Sequence, residues 1–383
     1  MSSYRILLVH NRYRNYGGED AVFDAEVELL RQQGNEVETY IRDNQDIHQP
    51  LAAASEALWS HRTVKEIDAL AATFKPNLIH VHNTFPLISP SIFWAAEKNK
   101  IPIIQTLHNY RLICPQAMLL RNGQICEDCV GGFAWKGILR KCYHDSAAQT
   151  AVVAGSAGLH GALGTYSKKV TQFIATDDFC REKFIEGGLP SEKIQVKPHF
   201  VPKPVITSSS RKGGIFVGRL SKEKGISVLS EALRIHETPL RVVGSGPDET
   251  LLRNIRGVEL LGFLPRKEIY SQLASASWLV APSISYETFG LSIVEAFACG
   301  TPAIVSRIGA LKSLIEDGVT GLLVEPGNPR DLAEKIQWAQ NHPTEMAKMG
   351  QAAHEKYLAK YTPEKNYARL KEIYASALSN QIA

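Results

Sequence analysis

The 383-residue sequence lacks the features that mark membrane, secreted and nucleic-acid-binding proteins. Its longest uncharged stretch, 146–167, contains too many serine, threonine, glycine and histidine residues to span a bilayer, and we expect an ordinary helix there. The first residues show no basic start, apolar core and cleavage site, so no secretion signal is predicted. Lysine plus arginine number 43 against 39 for aspartate plus glutamate, which argues against a nucleic-acid partner.

Cysteine is also scarce, with six in the chain. Without a secretion signal, so few thiols in a chain of this length indicate reduced cysteines and not a disulfide framework. We therefore expect a cytoplasmic protein.

Apolar residues, by contrast, make up 44% of the sequence, enough for more than one core. Short apolar runs alternate with amphipathic stretches, which is typical of strand-helix units in parallel sheets. In the first half the predicted strands are 4–10, 36–41, 77–81, 101–107 and 172–176, with a helix at 19–33. In the second half they are 215–217, 240–243, 258–261, 278–281 and 303–306.

This alternation predicts an α/β protein made of two Rossmann-like, doubly wound domains. Pro198, Pro202 and Pro204 precede a serine-rich segment, and this composition predicts a linker at 204–213. The domains are then 1–203, on the acceptor side and with a cysteine-containing insert at about 112–145, and 214–361. Apolar residues at helical spacing predict a last helix within 362–383 that crosses back to the first domain. Because open α/β sheets bind ligands at the carboxyl ends of their strands, we expect a site in a cleft between the domains.

The most informative stretch runs from Pro282 to Ala296, where a predicted strand gives way to a helix. The first amides of a helix are unpaired and carry partial positive charge, so the amides of Phe289, Gly290 and Leu291 suit a phosphate or a sugar hydroxyl. Two carboxylates accompany them, Glu287 before the helix and Glu295 about two turns into it. In the alternative interpretation, Glu287 only caps the helix and Glu295 forms a buried ion pair.

Five more segments of the second half carry short glycine-containing motifs: 217–225, 244–247, 262–265, 300–302 and 317–323. With 282–296 they fall in the order and approximate spacing of glycosyltransferase family 4, the retaining enzymes of GT-B fold, which the chain resembles over nearly its whole length. By this resemblance Arg219 and Lys224 hold the donor diphosphate, Glu295 the ribose hydroxyls and Glu287 the transferred sugar. Phe263 and Leu264 lie against the base. The remaining residues predicted to bind the donor are Gly218, Gly244, Gly17 and Gly18.

Arg219 and Lys224 also have a physical reason to be in such a site. Breaking a glycosyl-phosphate bond develops negative charge on the departing diphosphate, and fixed cations stabilise it without a metal. Arginine can donate hydrogen bonds to two phosphate oxygens at once, whereas lysine acts as a point charge. The alternative is an ordinary solvated loop, on which such cations are common.

In the first half, the segment 15–20 follows the first predicted strand and opens the first helix, and Gly17 and Gly18 allow a tight turn there. The segment is similar to the family's glycine loop, although a plain structural turn remains the alternative. It lacks the G-x-G-x-x-G spacing of dinucleotide oxidoreductases. His108 follows the strand at 101–107 and matches the histidine that the family places beside the reacting sugar. We interpret His80, His82, His144 and His160 as structural.

Four cysteines cluster in the insert: Cys114, Cys126, Cys129 and Cys142. The two-residue gap between Cys126 and Cys129 suits structural zinc, but the flanking spacings are irregular. The alternative is a set of reduced cysteines in a loop that shapes the acceptor pocket.

The function expected from the resemblance is retaining transfer of a hexose-type sugar from a UDP- or GDP-linked donor, with no cofactor and no catalytic metal. The expected acceptor is a lipid-linked oligosaccharide or a polysaccharide in surface-polysaccharide assembly. Basic residues around 136–141 and 168–169 favour peripheral contact with the inner face of the cytoplasmic membrane, though they also suit a solvated face. The rival functions are a nucleotide-sugar epimerase of the same fold and a non-catalytic scaffold that binds nucleotide sugars.

Overall fold

The computed structural model describes residues 3–205 and 210–379, apart from the side chain of Pro50. The chain forms two compact units. The first contains the residues up to Met118, then Glu127–Pro198 and the residues from Asn366 onward, and the second contains Leu119–Cys126 and His199–Lys365. Residues 206–209 of the predicted linker and 380–383 of the predicted last helix lie outside the described residues.

The first unit is built on a parallel six-stranded sheet in the order β2-β1-β3-β4-β7-β8. Its strands are β1 (Arg5–Arg12), β2 (Glu36–Asp43), β3 (Leu78–Asn83), β4 (Ile103–Thr106), β7 (Gln172–Ala175) and β8 (Ile194–Val196). Strands β3, β4 and β7 are buried along their whole length, as expected of a parallel sheet covered on both faces. These strands nevertheless carry buried polar residues, among them His80 and His82 in β3 and Gln105 in β4.

Eight helices accompany this sheet in the described part of the first unit. They are α1 (Gly18–Gln32), α2 (Pro50–Leu58), α3 (His61–Thr73), α4 (Ser91–Lys98), α5 (Trp135–Leu139), α6 (Ala147–Ala162), α7 (Asp178–Glu186) and α14 (Pro363–Ser379). The core joins the apolar face of α1 to the sheet and to α14, whose Leu370, Ile373 and Tyr374 are buried with Ile6 and Phe23. The end of the chain is therefore part of the first unit.

The second unit contains a parallel six-stranded sheet in the order β11-β10-β9-β12-β13-β14. Its strands are β9 (Gly214–Val217), β10 (Leu240–Val243), β11 (Val258–Gly262), β12 (Trp278–Ala281), β13 (Ala303–Ser306) and β14 (Gly321–Val324). The helices are α8 (Ile226–Ile235), α9 (Arg266–Ala274), α10 (Leu291–Ala298), α11 (Gly309–Leu314), α12 (Pro329–Asn341) and α13 (Pro343–Lys360). A short antiparallel hairpin, β5 (Leu120–Arg121) with β6 (Gln124–Ile125), also belongs to this unit. Apolar clusters fill both faces of the sheet.

The boundary between the units differs from the predicted one. Residues 199–203, assigned from the sequence to the first domain, belong to the second unit. The reason is Val201, which is fully buried in the second core. Its amide donates to the carbonyl of Tyr361 at 3.1 Å, and its carbonyl accepts from the hydroxyl of Tyr357 at 3.0 Å.

The uncharged stretch 146–167 forms α6 and a following π-helical turn. Within 3–205 and 210–379, no helix combines the length and the apolar character needed to cross a membrane.

Candidate functional site

The second unit has a topological switch point between β9 and β12. The chain leaves β9 toward β10 on one side of the sheet and returns at β12 on the other. A switch point of this kind, outside the carboxyl ends of the strands, is the usual ligand site of open α/β sheets. Arg219 and Lys224 follow β9, and Glu287 and Gly290 follow β12. The sequence-predicted donor residues thus lie at this edge.

Glycines let these loops pack closely. Gly244 has φ +129°, and a Cβ there would lie 1.9 Å from the carbonyl oxygen of Gly218. Gly225 has φ +72°, and a Cβ there would lie 2.0 Å from the carbonyl oxygen of Pro282. Only glycine permits these approaches, so the loop after β9 lies directly against the loops after β10 and β12.

Lys224 and Glu287 form an ion pair, with Nζ 2.8 Å from Oε2. The hydroxyl of Ser283 donates a hydrogen bond to the other carboxylate oxygen of Glu287. Burial by itself would raise the pKa of Glu287, but the Lys224 ammonium and these hydrogen bonds outweigh it and lower the pKa. Glu287 is therefore an ionised, oriented acceptor. Arg219 is exposed, and within the described part of the chain no carboxylate lies within 4.0 Å of its guanidinium.

The helix α10 begins beside this pair. Its N-cap is Gly290 in the left-handed region, with φ +100°. This φ favours glycine, and a Cβ at that position would lie 2.8 Å from a terminal methyl group of Leu311, which would have to shift. By helix geometry the amides of Leu291 and Ser292 have no partners within the helix, whereas the amide of Ile293 donates to the carbonyl of Gly290 at 3.1 Å. The ring of Phe289 is buried against His199, with ring centroids 5.1 Å apart, so any ligand contact there would be through its backbone.

Glu295 faces inward from the second turn of α10, with its side chain 13% exposed. Burial raises the pKa of Glu295 to about 7. Arg266 Nε lies 3.6 Å from Glu295 Oε1, and its positive charge lowers the pKa, but by less than burial raises it. A carboxyl group that titrates near neutrality in a site region is a candidate functional group. Arg266, the first residue of α9, was not predicted from the sequence.

The predicted base-contacting residues follow β11 at the edge of the sheet. Phe263 is 74% exposed, whereas Leu264 is half-buried against the second core. An exposed aromatic ring at the carboxyl edge leaves a surface for a planar ligand.

In the first unit the switch point lies between β1 and β3. Gly17 is the N-cap of α1, but its φ is −134° and a Cβ there would meet only ordinary contacts. The conformation of Gly17 therefore does not require glycine, although the missing side chain leaves the helix start uncovered. Gly18 is exposed as the first residue of α1. Glu19 accepts a hydrogen bond from Asn109 Nδ2 at 2.8 Å, which ties this helix start to the segment after β4.

His108 lies just beyond β4 and is buried. Its Nε2 is 2.9 Å from Nδ1 of His82, and the two rings stack with centroids 5.0 Å apart. His82, which we interpreted from the sequence as structural, therefore contacts the predicted site histidine directly. His82 Nε2 lies 3.3 Å from Oε1 of Glu26, on α1.

Glu26 is the centre of a buried polar cluster. Its Oε1 lies 3.0 Å from His80 Nδ1, and its Oε2 lies 2.9 Å from the ammonium of Lys197. Glu26 and Lys197 are each 1% exposed. Burial alone would raise the pKa of Glu26, but Lys197 and His80 outweigh it and hold the pKa well below its ordinary value. Neither Glu26 nor Lys197 was identified from the sequence.

The four insert cysteines differ in exposure: Cys114 is buried, and Cys126, Cys129 and Cys142 are half-buried. Among the described residues, the group with three metal-ligating atoms within 4.8 Å of one another is Glu26, His80 and His82. No cysteine belongs to that group. Structural zinc at the cysteines stays a prediction.

Comparison with known proteins identifies the class to which this fold and site belong. A model described as Glycosyltransferase Family 4 matches residues 17–203, and one described as Glycosyl transferases group 1 matches residues 205–356. The chain therefore belongs to glycosyltransferase family 4, and the predicted GT-B fold of two doubly wound α/β domains is confirmed.

Individual relatives agree with this class. D-rhamnosyltransferase WbpZ of Pseudomonas aeruginosa is 32% identical over 156 residues, which are 39% of this chain and 41% of that protein. Phosphatidyl-myo-inositol mannosyltransferase of Mycobacterium leprae is 31% identical over 194 residues, 46% of this chain and 51% of that protein. The chain thus spans about half the length of the curated relatives it matches. The structure of Anabaena Alr3699/HepE in complex with UDP and glucose superposes with a TM-score of 0.69 at 18% identity, covering 97% of this chain and 99% of that one.

Proposed function

We propose that this chain is a retaining hexosyltransferase that uses a nucleotide-diphosphate sugar as donor. The observation that carries the proposal is the grouping at one switch point of an exposed arginine, a lysine-carboxylate pair, a glycine-capped helix start and a buried carboxyl group. Each suits a different part of such a donor.

In this proposal Arg219 and Lys224 stabilise the negative charge that develops on the departing diphosphate. The amides at the start of α10 bind the same anion. Glu287, ionised and oriented by Lys224, accepts hydrogen bonds from the transferred sugar, and Glu295 accepts them from the ribose. The cations supply the stabilisation for which other transferases use a metal, so the proposed reaction is metal-independent.

Retention of configuration follows, in this proposal, from reaction on one face of the sugar. The departing diphosphate assists removal of the acceptor's hydroxyl proton on that face, and catalysis depends on positioning and electrostatics. His108 is assigned to a sugar hydroxyl, as the family resemblance implies. The proposed acceptor is a lipid-linked oligosaccharide or a polysaccharide.

Uridine is the better supported of the two candidate bases, because the HepE neighbour is described in complex with UDP and glucose. Guanosine stays in the experimental panel because that neighbour shares only 18% identity with this chain.

Thermal unfolding measured in EDTA with a panel of UDP- and GDP-linked sugars tests the donor site. We expect one donor to stabilise the wild type and not the Glu295→Ala variant. At a donor concentration of 100 Kd, binding contributes about 2.7 kcal/mol of stability. Glu268→Ala, an exposed glutamate on α9, is the matched control and should retain the shift.

Turnover distinguishes the rival functions. Transfer of the sugar to an added acceptor supports the proposal, whereas conversion of the donor sugar to its epimer without acceptor indicates an epimerase. Binding without turnover indicates a scaffold. If well-folded protein responds to no nucleotide sugar, the proposed function is wrong.

Donor affinity should depend on pH through Glu295. Its pKa of about 7 means that the carboxylate predominates above neutrality and the neutral acid below. Because an ionised acceptor makes stronger hydrogen bonds to ribose hydroxyls, we expect affinity to be about five-fold weaker at pH 6 than at pH 8. Calorimetry should use an intact nucleotide sugar, since a terminal phosphate titrates in the same range. The Glu295→Gln variant should lose this dependence, and an unchanged pH profile in that variant would contradict the assignment.

Peripheral contact with the inner face of the cytoplasmic membrane is part of the proposal. The helix α5 exposes 53% of Trp135 and 72% of Leu139. Lys136, Arg140 and Lys141 lie on or beside the same helix, and Lys136 and Arg140 pair with Asp128. Apolar residues flanked by basic ones suit the headgroup region of an anionic bilayer.

A further inference from the structure

We propose that Glu26 and His82 are positioning residues that fix the tautomer of His108, with the His108 proton on Nε2. This inference rests on the proposed function for its kinetic consequence, but the tautomer itself is a property of the free protein. The relevant chain of side chains is Lys197, Glu26, His82 and His108.

The geometry supplies a continuous path through the interior of the first unit. The Lys197 ammonium lies 2.9 Å from one carboxylate oxygen of Glu26, and His82 Nε2 lies 3.3 Å from the other. His82 Nδ1 then lies 2.9 Å from His108 Nε2. Because every one of these side chains is buried, water does not compete for these contacts.

The carboxylate determines which nitrogen of His82 carries a proton. Burial lowers the pKa of His82 to about 3, so this ring is neutral at working pH and has one donor nitrogen and one acceptor nitrogen. The ionised Glu26 can only accept. The 3.3 Å approach is not aligned as a hydrogen bond among the described residues, so the carboxylate acts on Nε2 electrostatically. It favours the Nε2–H tautomer of His82.

The tautomer of His108 follows. With its proton on Nε2, His82 presents Nδ1 as an acceptor, and the 2.9 Å contact then requires His108 Nε2 to donate. His108 is thereby held in one ring orientation and one protonation pattern. The hydrogen bond made by one ring nitrogen of a histidine generally sets which nitrogen carries the proton, and here the partner of that bond is a second imidazole.

His80 strengthens the same arrangement. Its Nδ1 lies 3.0 Å from Glu26 Oε1 and 2.8 Å from the hydroxyl of Tyr374, and its Nε2 lies 2.8 Å from the hydroxyl of Thr106. Both ring nitrogens of His80 therefore have partners, and these partners fix the ring. The carboxylate of Glu26 thus lies between two histidine rings, those of His80 and His82.

One ligand atom each from Glu26, His80 and His82 lie close enough together to bind a metal ion. The cluster could therefore hold either a metal ion or protons shared among these side chains. Lys197 already balances the charge of Glu26. A divalent cation would leave excess positive charge in a fully buried site, which is costly. The charge balance therefore favours protons over a metal.

Nitrogen-15 NMR of the histidine side chains tests the tautomer directly, with His108→Asn used to assign the signal. We expect His108 in the wild type to show the Nε2–H pattern. The pattern should be lost in His82→Leu, which removes the acceptor, and retained in His82→Asn, whose Oδ1 can replace Nδ1. In the charge-matched variant Glu26→Met/Lys197→Met, the His108 signal should shift toward an average of both tautomers.

A matched control is His160→Asn, which alters another buried histidine of the first unit, one bonded to Thr165 and to the carbonyl of Leu58. It should leave the His108 signal unchanged. The proposal is overturned if wild-type His108 carries its proton on Nδ1, or if its signal is the same in His82→Leu. It is also overturned by a stoichiometric metal in the purified protein that is lost in His80→Asn.

Kinetics then separate positioning from folding. A wrong tautomer costs about 10⁴-fold in kcat where a histidine transfers the proton. Since His108 is assigned to hydrogen bonding, we expect His82→Leu to lower kcat by a smaller factor of about 100-fold, with KM little changed. The kcat of His82→Asn should be close to that of the wild type. A tautomer shift without any change in kcat would refute the kinetic role, and an inactive wild type that shows the Nε2–H pattern would refute only the proposed transferase function.

Discussion

Replacing Arg219 with alanine should lower kcat/KM for sugar transfer by about 100- to 1,000-fold, the usual effect of removing a group that stabilises transition-state charge. The structure gives a reason to expect more from Arg219 than from Lys224. The charge of Lys224 is already balanced by Glu287 at 2.8 Å, whereas Arg219 has no carboxylate partner within the described ranges. Among the two cations assigned to the diphosphate, Arg219 is therefore the one whose charge is not compensated by a carboxylate.

Two further variants define the nature of the contact. Arg219→Lys keeps the charge but loses the bidentate grip on phosphate oxygens, so its activity should fall between that of the wild type and Arg219→Ala. Lys222→Ala removes an exposed cation three residues away and should have little effect. If Arg219→Ala and Lys222→Ala both lower kcat/KM by the same small factor in steady-state assays, the assignment of Arg219 to the diphosphate is wrong.

The place of the candidate donor residues in the sheet could be predicted from the sequence because the motifs that carry them are local. The motifs at 217–225, 244–247, 262–265 and 282–296 each begin at or directly after the end of a predicted strand, and the ends of parallel strands share one edge of a sheet. The strands 240–243, 278–281 and 303–306 were predicted with the bounds that the structure has. The strand 321–324 was missed because it overlaps the segment 317–323, which was interpreted only as a family motif.

The buried cluster of the first unit could not be predicted in the same way, because its members are distant in sequence. Glu26 meets Lys197 across 171 residues, and Lys197 meets Asn366 across another 169. The spacing of apolar residues along the sequence does not indicate such long-range contacts. Two local signals were nevertheless present. Glu26 is a charged residue on the apolar face of α1, and His80 and His82 alternate so that both point to one face of β3.

The ion pair at the centre of this cluster makes a large effect on stability predictable. Glu26→Met should reduce the free energy of unfolding by about 3–5 kcal/mol, because it leaves the Lys197 ammonium buried without a counter-charge. Removing both charges in Glu26→Met/Lys197→Met should recover most of that loss, since a buried pair contributes little beyond the cost of burying it. Urea unfolding followed by circular dichroism measures all three proteins. A double variant as unstable as Glu26→Met would show that the loss comes from packing and not from an unpaired charge.

The pH dependence of stability gives an independent measure of the same pair. The pKa of Glu26 is well below its ordinary value of 4.5 in the folded protein, so the unfolded state binds more protons as the pH falls below 4.5. Stability from this group is therefore complete above pH 4.5 and is lost as the pH falls toward the folded pKa. Glu26→Met/Lys197→Met lacks the group, so its unfolding free energy should fall less steeply than that of the wild type between pH 5 and pH 3. Parallel curves would mean that other carboxylates account for the acid sensitivity. A flatter curve would show that Glu26 is ionised while fully buried, the condition under which it can fix the protons of the neighbouring histidines.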